Sequence, residues 1–285
     1  MKLRFCFSSP LLVLAGVLLL SSTPRADPPG QMLRALSAKY KPSLVTLSLI
    51  VKLSSGGYED QSELEASGFL LDSSGLVVTT NSAIDPSAAY GGGSEGSASM
   101  SSRVVGVKIL TTDGQEIPAK VVLRDKDKNL AFVRPIKAPA KKLSGINFQT
   151  SANAQIGDPV YLLGRLGKTG GRVVEAKTSR IVSVLDKPRR MYVLDAYQYL
   201  YAGNLAFNEK GQPLGLLTQR LPIGKARLSE RSLPIIIPAR DVWEVARQAP
   251  QAKDVKDAKA VMTPAKSAGK SGSTPAKPGA GANPF

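Results

Sequence analysis

Short apolar and β-branched runs recur along the chain at Val45–Leu53, Ser67–Asp72, Gly75–Thr80, Val104–Leu110, Ala119–Arg124, Leu130–Pro135, Pro159–Gly164, Gly171–Val184, Met191–Ala196, Pro213–Gln219 and Leu233–Ile237. Runs of this kind, bounded by turn residues, are strand signals. The pairs Asp113-Gly114 and Lys210-Gly211 fall between runs, as antiparallel hairpins require. Only Gln31–Tyr40 and Ala239–Gln248 have a helical pattern. Eleven short strands with a helix at each end predict an all-β fold, either a sandwich or closed barrels.

Two segments break the pattern. Ser87–Ser102 reads SAAYGGGSEGSASMSS, whose glycines and serines cannot repay the entropy of ordering, so it is expected to be a long surface loop. After Pro250 the chain is almost all Ala, Lys, Pro, Gly and Ser, with six Lys against two Asp. It holds too little apolar matter to bury and is predicted to be a disordered basic tail, spanning residues 249–285.

The N-terminus carries Lys2 and Arg4, an apolar run Leu11–Leu20, then small and polar residues to Ala26, the layout of a secretory signal peptide over residues 1–26. The run is too short for a membrane-spanning helix, which takes about 20 residues. The expected location is therefore periplasmic or secreted. The folded part is expected over residues 27–248. The only cysteine, Cys6, lies within the leader, so an exported chain has no thiol for a disulfide or a metal. No metal and no cofactor is expected. The formal net charge is +16, spread along the chain, which favours acidic partners such as anionic polymers or membrane headgroups. The chain has no histidine, so no mechanism can use an imidazole base.

Four stretches together resemble trypsin-like serine proteases of the HtrA/DegP type: ASGFLLDSSGLVVTTN (66–81), RDKDKNLAFVRP (124–135), IGDPVYLLGRLGKTGGRVVEAKTSRIVSVL (156–185) and FNEKGQPLGL (207–216). The resemblance runs from about Gln31 to Gln248 and implies two antiparallel six-stranded β-barrels, with short flanking helices and the active site in the cleft between them. Relatives of that type usually append a peptide-binding PDZ module; here the basic tail stands in its place.

Catalysis in that family divides labour among Ser, His and Asp. Carried over by position, the histidine falls on Ser82, after Thr80-Asn81, and the aspartate on Asn129, before Leu130-Ala131. The nucleophile falls on Ala202, on Gly203 or on Leu205, according to register. No Ser, Thr or Cys lies between Met191 and Leu217, so no register restores it. With Ala202 at the nucleophile, Leu200 replaces the glycine of the oxyanion hole, where a bulky side chain resists the backbone conformation the hole needs. The resemblance thus implies a catalytically degenerate protease fold, a pseudoprotease that binds protein or peptide segments or acts as scaffold or regulator.

Two other function classes compete. A Ser-Lys dyad is the main nucleophilic option without histidine, and Ser179 near Lys177, or Ser102 and Lys108, supply the residue types. Lys177 and Ser179 share one strand face, as ordinary surface residues also do. Alternatively, the basic tail is itself the binding element, for anionic polymers or headgroups.

Overall fold

The computed structural model describes residues 27–55, 57–85, 101–195, 203–220 and 232–255. The expected leader, most of the Gly/Ser-rich loop, Leu200, Ala202 and the chain from residue 256 lie outside these residues. Helix α1 (Pro28–Tyr40) precedes the first barrel, built from β1 (Leu44–Ser55), β2 (Tyr58–Leu70), β3 (Val77–Thr80), β4 (Ser101–Leu110), β5 (Glu116–Asp125) and β6 (Leu130–Pro135). A single-turn helix α2 (Asn81–Ile84) follows β3. The second barrel comprises β7 (Pro159–Arg165), β8 (Val174–Leu185), β9 (Met191–Leu194), β10 (Leu205–Phe207), β11 (Pro213–Arg220) and β12 (Leu233–Pro238), and α3 (Ala239–Ala246) closes the domain.

Both barrels are closed and antiparallel, in the orders β1-β2-β3-β6-β5-β4 and β10-β11-β12-β9-β8-β7. The expected all-β fold of two six-stranded barrels is the fold observed.

Three apolar clusters explain why many strands read as unbroken apolar runs rather than alternating ones. Val45, Leu47, Leu49, Ala131 and Val133 fill the first barrel. Val160, Leu162, Tyr192, Leu194 and Ile236 fill the second. The alternate residues of the same strands, Phe69, Leu130, Phe132, Leu163, Leu205 and Ile237, meet between the barrels in the third cluster. A strand buried on both faces needs apolar residues at every position. Each such side chain, fully buried, contributes about 1.5–3 kcal/mol. Ile146 and Phe148 of the inter-barrel linker join this third cluster, held there by the Ile146 N–H donating to Leu70 O at 2.8 Å.

The structure corrects four sequence expectations. Strand β2 begins at Tyr58, nine residues before Ser67, because its outer half, YEDQSELE, is polar yet pairs fully with β1. Strand β10 is only three residues long and was hidden among turn residues. Ser101 and Ser102, assigned to the Gly/Ser loop, pair with Ser54 and Leu53 as the start of β4. The folded region also runs past Gln248. Ala249 and Ala252 are buried in the shared core, and Val255 O accepts from Lys120 Nζ at 2.6 Å.

Candidate functional site

The cleft between the barrels is lined where chain segments leave their strands. β3 ends at Thr80 and turns at once into α2, whose first residues are Asn81 and Ser82. The turn before β6 brings Asn129 alongside, with φ of 54°, a left-handed backbone that Asn tolerates better than most residues. Asn129 O accepts the Asn81 N–H at 3.0 Å, which fixes the two segments together.

The Asn129 carboxamide then satisfies several partners. Its Oδ1 accepts the Ser82 N–H at 2.8 Å, an otherwise orphan donor in the first turn of α2. Its Nδ2 donates to Thr218 Oγ1 at 2.8 Å, to Ser82 Oγ at 3.2 Å and to Gln219 O at 3.3 Å. Ser82 Oγ also reaches Thr80 Oγ1 at 3.4 Å. Every side chain in this network is neutral. Among the described residues, charges on the adjoining segments are engaged: Asp85 holds Arg124 at 3.0 Å and Ser102 at 2.6 Å, while Lys128 holds Asp125 at 2.8 Å.

Sequence reasoning placed Ser82 and Asn129 in one cleft, and the structure brings them into direct contact. It missed Thr218, which crosses from the second barrel. The available signal was a hydroxyl in the apolar run PLGLLT, where Thr218 is fully buried.

Of the nucleophile candidates, Ala202 lies outside the described residues, as does Leu200. Leu205 sits on β10, paired with Leu163 and Leu216 and fully buried in the shared core, so it does not face the cleft. That register is thereby corrected: core packing claims the position. Gly203 has φ of +95°, a conformation that favours glycine, and its N–H donates to Leu217 O at 2.7 Å. A Cβ there would lie 3.6 Å from Ser67 O and 3.9 Å from Thr80 Cγ2, so this turn faces the segment that carries Ser82. The next residue, Asn204, is buried against Gly164, where any Cβ would collide with its carboxamide at 2.3 Å.

Neither Ser-Lys combination is assembled as a dyad. Ser102 Oγ is 2.6 Å from Asp85, and Lys108 Nζ is 2.9 Å from Glu116 Oε2. Ser179 Oγ donates to the Asp195 carbonyl at 3.2 Å. Burial pushes the Lys177 ammonium down to about 8, against a weaker opposing pull from Glu175. A shallow groove of about 460 Å³ lies between α1 and Ala176 of β8, lined by Arg34, Ser37 and Lys41.

Two closed six-stranded barrels with a cleft between them accompany a match to the trypsin-like peptidase domain over residues 66–216, more than half of the chain. The chain belongs to that family. The match starts within β2 and ends within β11, so it takes in most strands of both barrels and the segments carrying Ser82, Asn129 and Gly203. No curated protein matches the chain. Within this trypsin-like domain, the Ser82–Asn129–Thr218 network joins the barrels by hydrogen bonds between uncharged groups.

Proposed function

We propose that this chain is a non-catalytic member of the trypsin-like peptidase family, of the HtrA/DegP type, that binds protein or peptide segments in the cell envelope as a scaffold or regulator. The observation that carries this reading is the Asn129 carboxamide, which occupies Ser82 and Thr218 in a neutral network. General-base catalysis needs a group that takes a proton near neutral pH. Neither a hydroxyl nor an amide does so, and the sequence has no histidine to replace them. The stretch Met191–Leu217 supplies no Ser, Thr or Cys for attack. What is left is a two-barrel body suited to holding a chain without cutting it.

A second reading rests on charge: beyond Val255 the sequence carries five Lys and one Asp, a cationic segment able to bind anionic polymers or headgroups. The two readings separate in one experiment. Purified protein is incubated with unfolded β-casein, with binding followed by anisotropy and cleavage by mass spectrometry. Binding without new fragments is expected. Fragments that disappear when one serine is replaced would refute the non-catalytic reading, and binding lost wholly on removing residues 256–285 would favour the tail.

A further inference from the structure

β2 is paired unequally on its two sides. Against β1 it is matched from Tyr58 to Phe69, but against β3 only through Phe69 and Leu70. Among the described residues no strand meets the other side of β2 from Tyr58 to Leu64. The side of β2 facing away from β1 is identified at Ser67, whose carbonyl accepts from Thr79 Oγ1 at 2.8 Å, and at Phe69, which pairs with Val78. Backbone groups of an antiparallel strand alternate between its two neighbours. The N–H and C=O groups of Glu59, Gln61, Glu63 and Glu65 therefore point toward the open side. The Gln61 N–H turns to the carboxylate of its own neighbour Asp60, at 2.8 Å. Glu65 is held by Arg172 at 2.5 Å, where the second barrel reaches the strand, so the open stretch is Glu59–Leu64.

The same stretch concentrates negative charge. Glu59, Asp60, Glu63 and Glu65 fall within seven residues without a Lys or Arg, in a chain whose net charge is +16. Glu59, Asp60, Gln61 and Glu63 are exposed. An open edge invites another strand, and charges along it reject neutral or acidic ones. A cationic strand reverses that sign: it gains hydrogen bonds from the edge and charge pairing from the acids.

We propose that the β2 edge at Glu59–Leu64 is a docking site for an extended, lysine- or arginine-bearing peptide segment, added as a further strand. This deepens the binding function proposed above and rests on it. The old cleft then serves to hold the barrels together, while recognition takes place on the outer wall of the first barrel.

The test uses the full chain and a synthetic peptide of about ten residues, the upper end of usual strand lengths, alternating lysine with valine. Its partners are a glutamate version and a lysine version N-methylated along one edge, which keeps the charge but cannot pair. Amide exchange should slow at Gln61 and Glu63 with the lysine peptide. N-methylation, Gln61→Pro and the Glu59→Lys/Glu63→Lys double substitution should each weaken binding by about tenfold or more. The exposed double substitution keeps the test valid should the proline variant misfold. Equal binding of the N-methylated peptide, or protection at Gly203 instead of β2, would overturn the proposal. So would Gln61 and Glu63 amides already protected without peptide, which would assign the edge to the chain's own tail. Failure of the peptide to bind, with casein left uncut, defeats this site and leaves the non-catalytic reading standing.

Discussion

Asn129 Nδ2 donates to Thr218 Oγ1 at 2.8 Å, tying the turn before β6 in the first barrel to β11 in the second. The same carboxamide accepts the Ser82 N–H at 2.8 Å, so one neutral side chain holds three chain segments. A buried Thr218 hydroxyl without this partner would have to be desolvated unpaired.

Asn129→Ala should therefore destabilise the protein by about 3 kcal/mol, combining lost hydrogen bonds with the strain of a left-handed Ala. Asn129→Gly loses the same bonds without that strain and should cost about 1 kcal/mol less. Urea unfolding of the two variants checks the difference. Equal losses would mean that the backbone conformation contributes nothing.

The network contains no titratable group, so substituting Ser82 or Thr218 by Ala should lower stability equally at pH 5 and pH 8. Lys177 behaves otherwise. Its native value of about 8 lies below the ordinary 10.5, so the folded state disfavours the charged form. That penalty is complete below pH 8 and is relieved as pH rises from about 8 to about 10.5, because over this window the unfolded chain holds the extra proton. Measured against Lys177→Met, the unsubstituted protein should therefore gain stability as pH rises from about 8 to about 10. The change is small, since the side chain is only partly withdrawn from water. A difference that moves the other way with pH would contradict the sign.

Restoring Ser82→His, Asn129→Asp and Ala202→Ser together should yield little hydrolysis while Leu200 remains. An oxyanion-hole donor is worth about 10²–10³ in turnover. Adding Leu200→Gly should raise casein cleavage toward that factor. Equal rates for the triple and quadruple variants would mean that Leu200 does not obstruct the hole.

Much of this arrangement was legible in the sequence. Turn pairs and apolar runs located eleven of the twelve strands at least in part, and the four quoted stretches placed Ser82 beside Asn129. The outer half of β2 was not legible, because its stability comes from pairing with β1 rather than from its own polar residues. Three-residue β10 carries too few residues to show a period. Thr218 was missed because its role arises only from the approach of the two barrels. Ala249 and Ala252 looked like tail composition, yet small residues fill the space beside Val245 and Ala246 in the shared core.

That packing sets where the tail can be removed. Ending the chain after Val255 should leave the melting temperature unchanged and weaken retention on an anionic matrix, more so at low salt, since screening acts over about 8 Å at physiological strength. Ending it after Gln248 removes Ala249, Ala252 and the Lys120–Val255 hydrogen bond, and should lower the melting temperature by several degrees, about 2–4 °C per kcal/mol lost. Identical melting of both truncations would show that residues 249–255 add nothing to the fold.

The absence of catalysis is tested most directly by intact-mass analysis after exposure to a fluorophosphonate probe, which marks any activated serine whatever its partner. The predicted result is a protein of unchanged mass under conditions where an active trypsin-like enzyme is fully modified. A single added phosphonyl group, lost when one particular serine is replaced by alanine, would contradict the non-catalytic account.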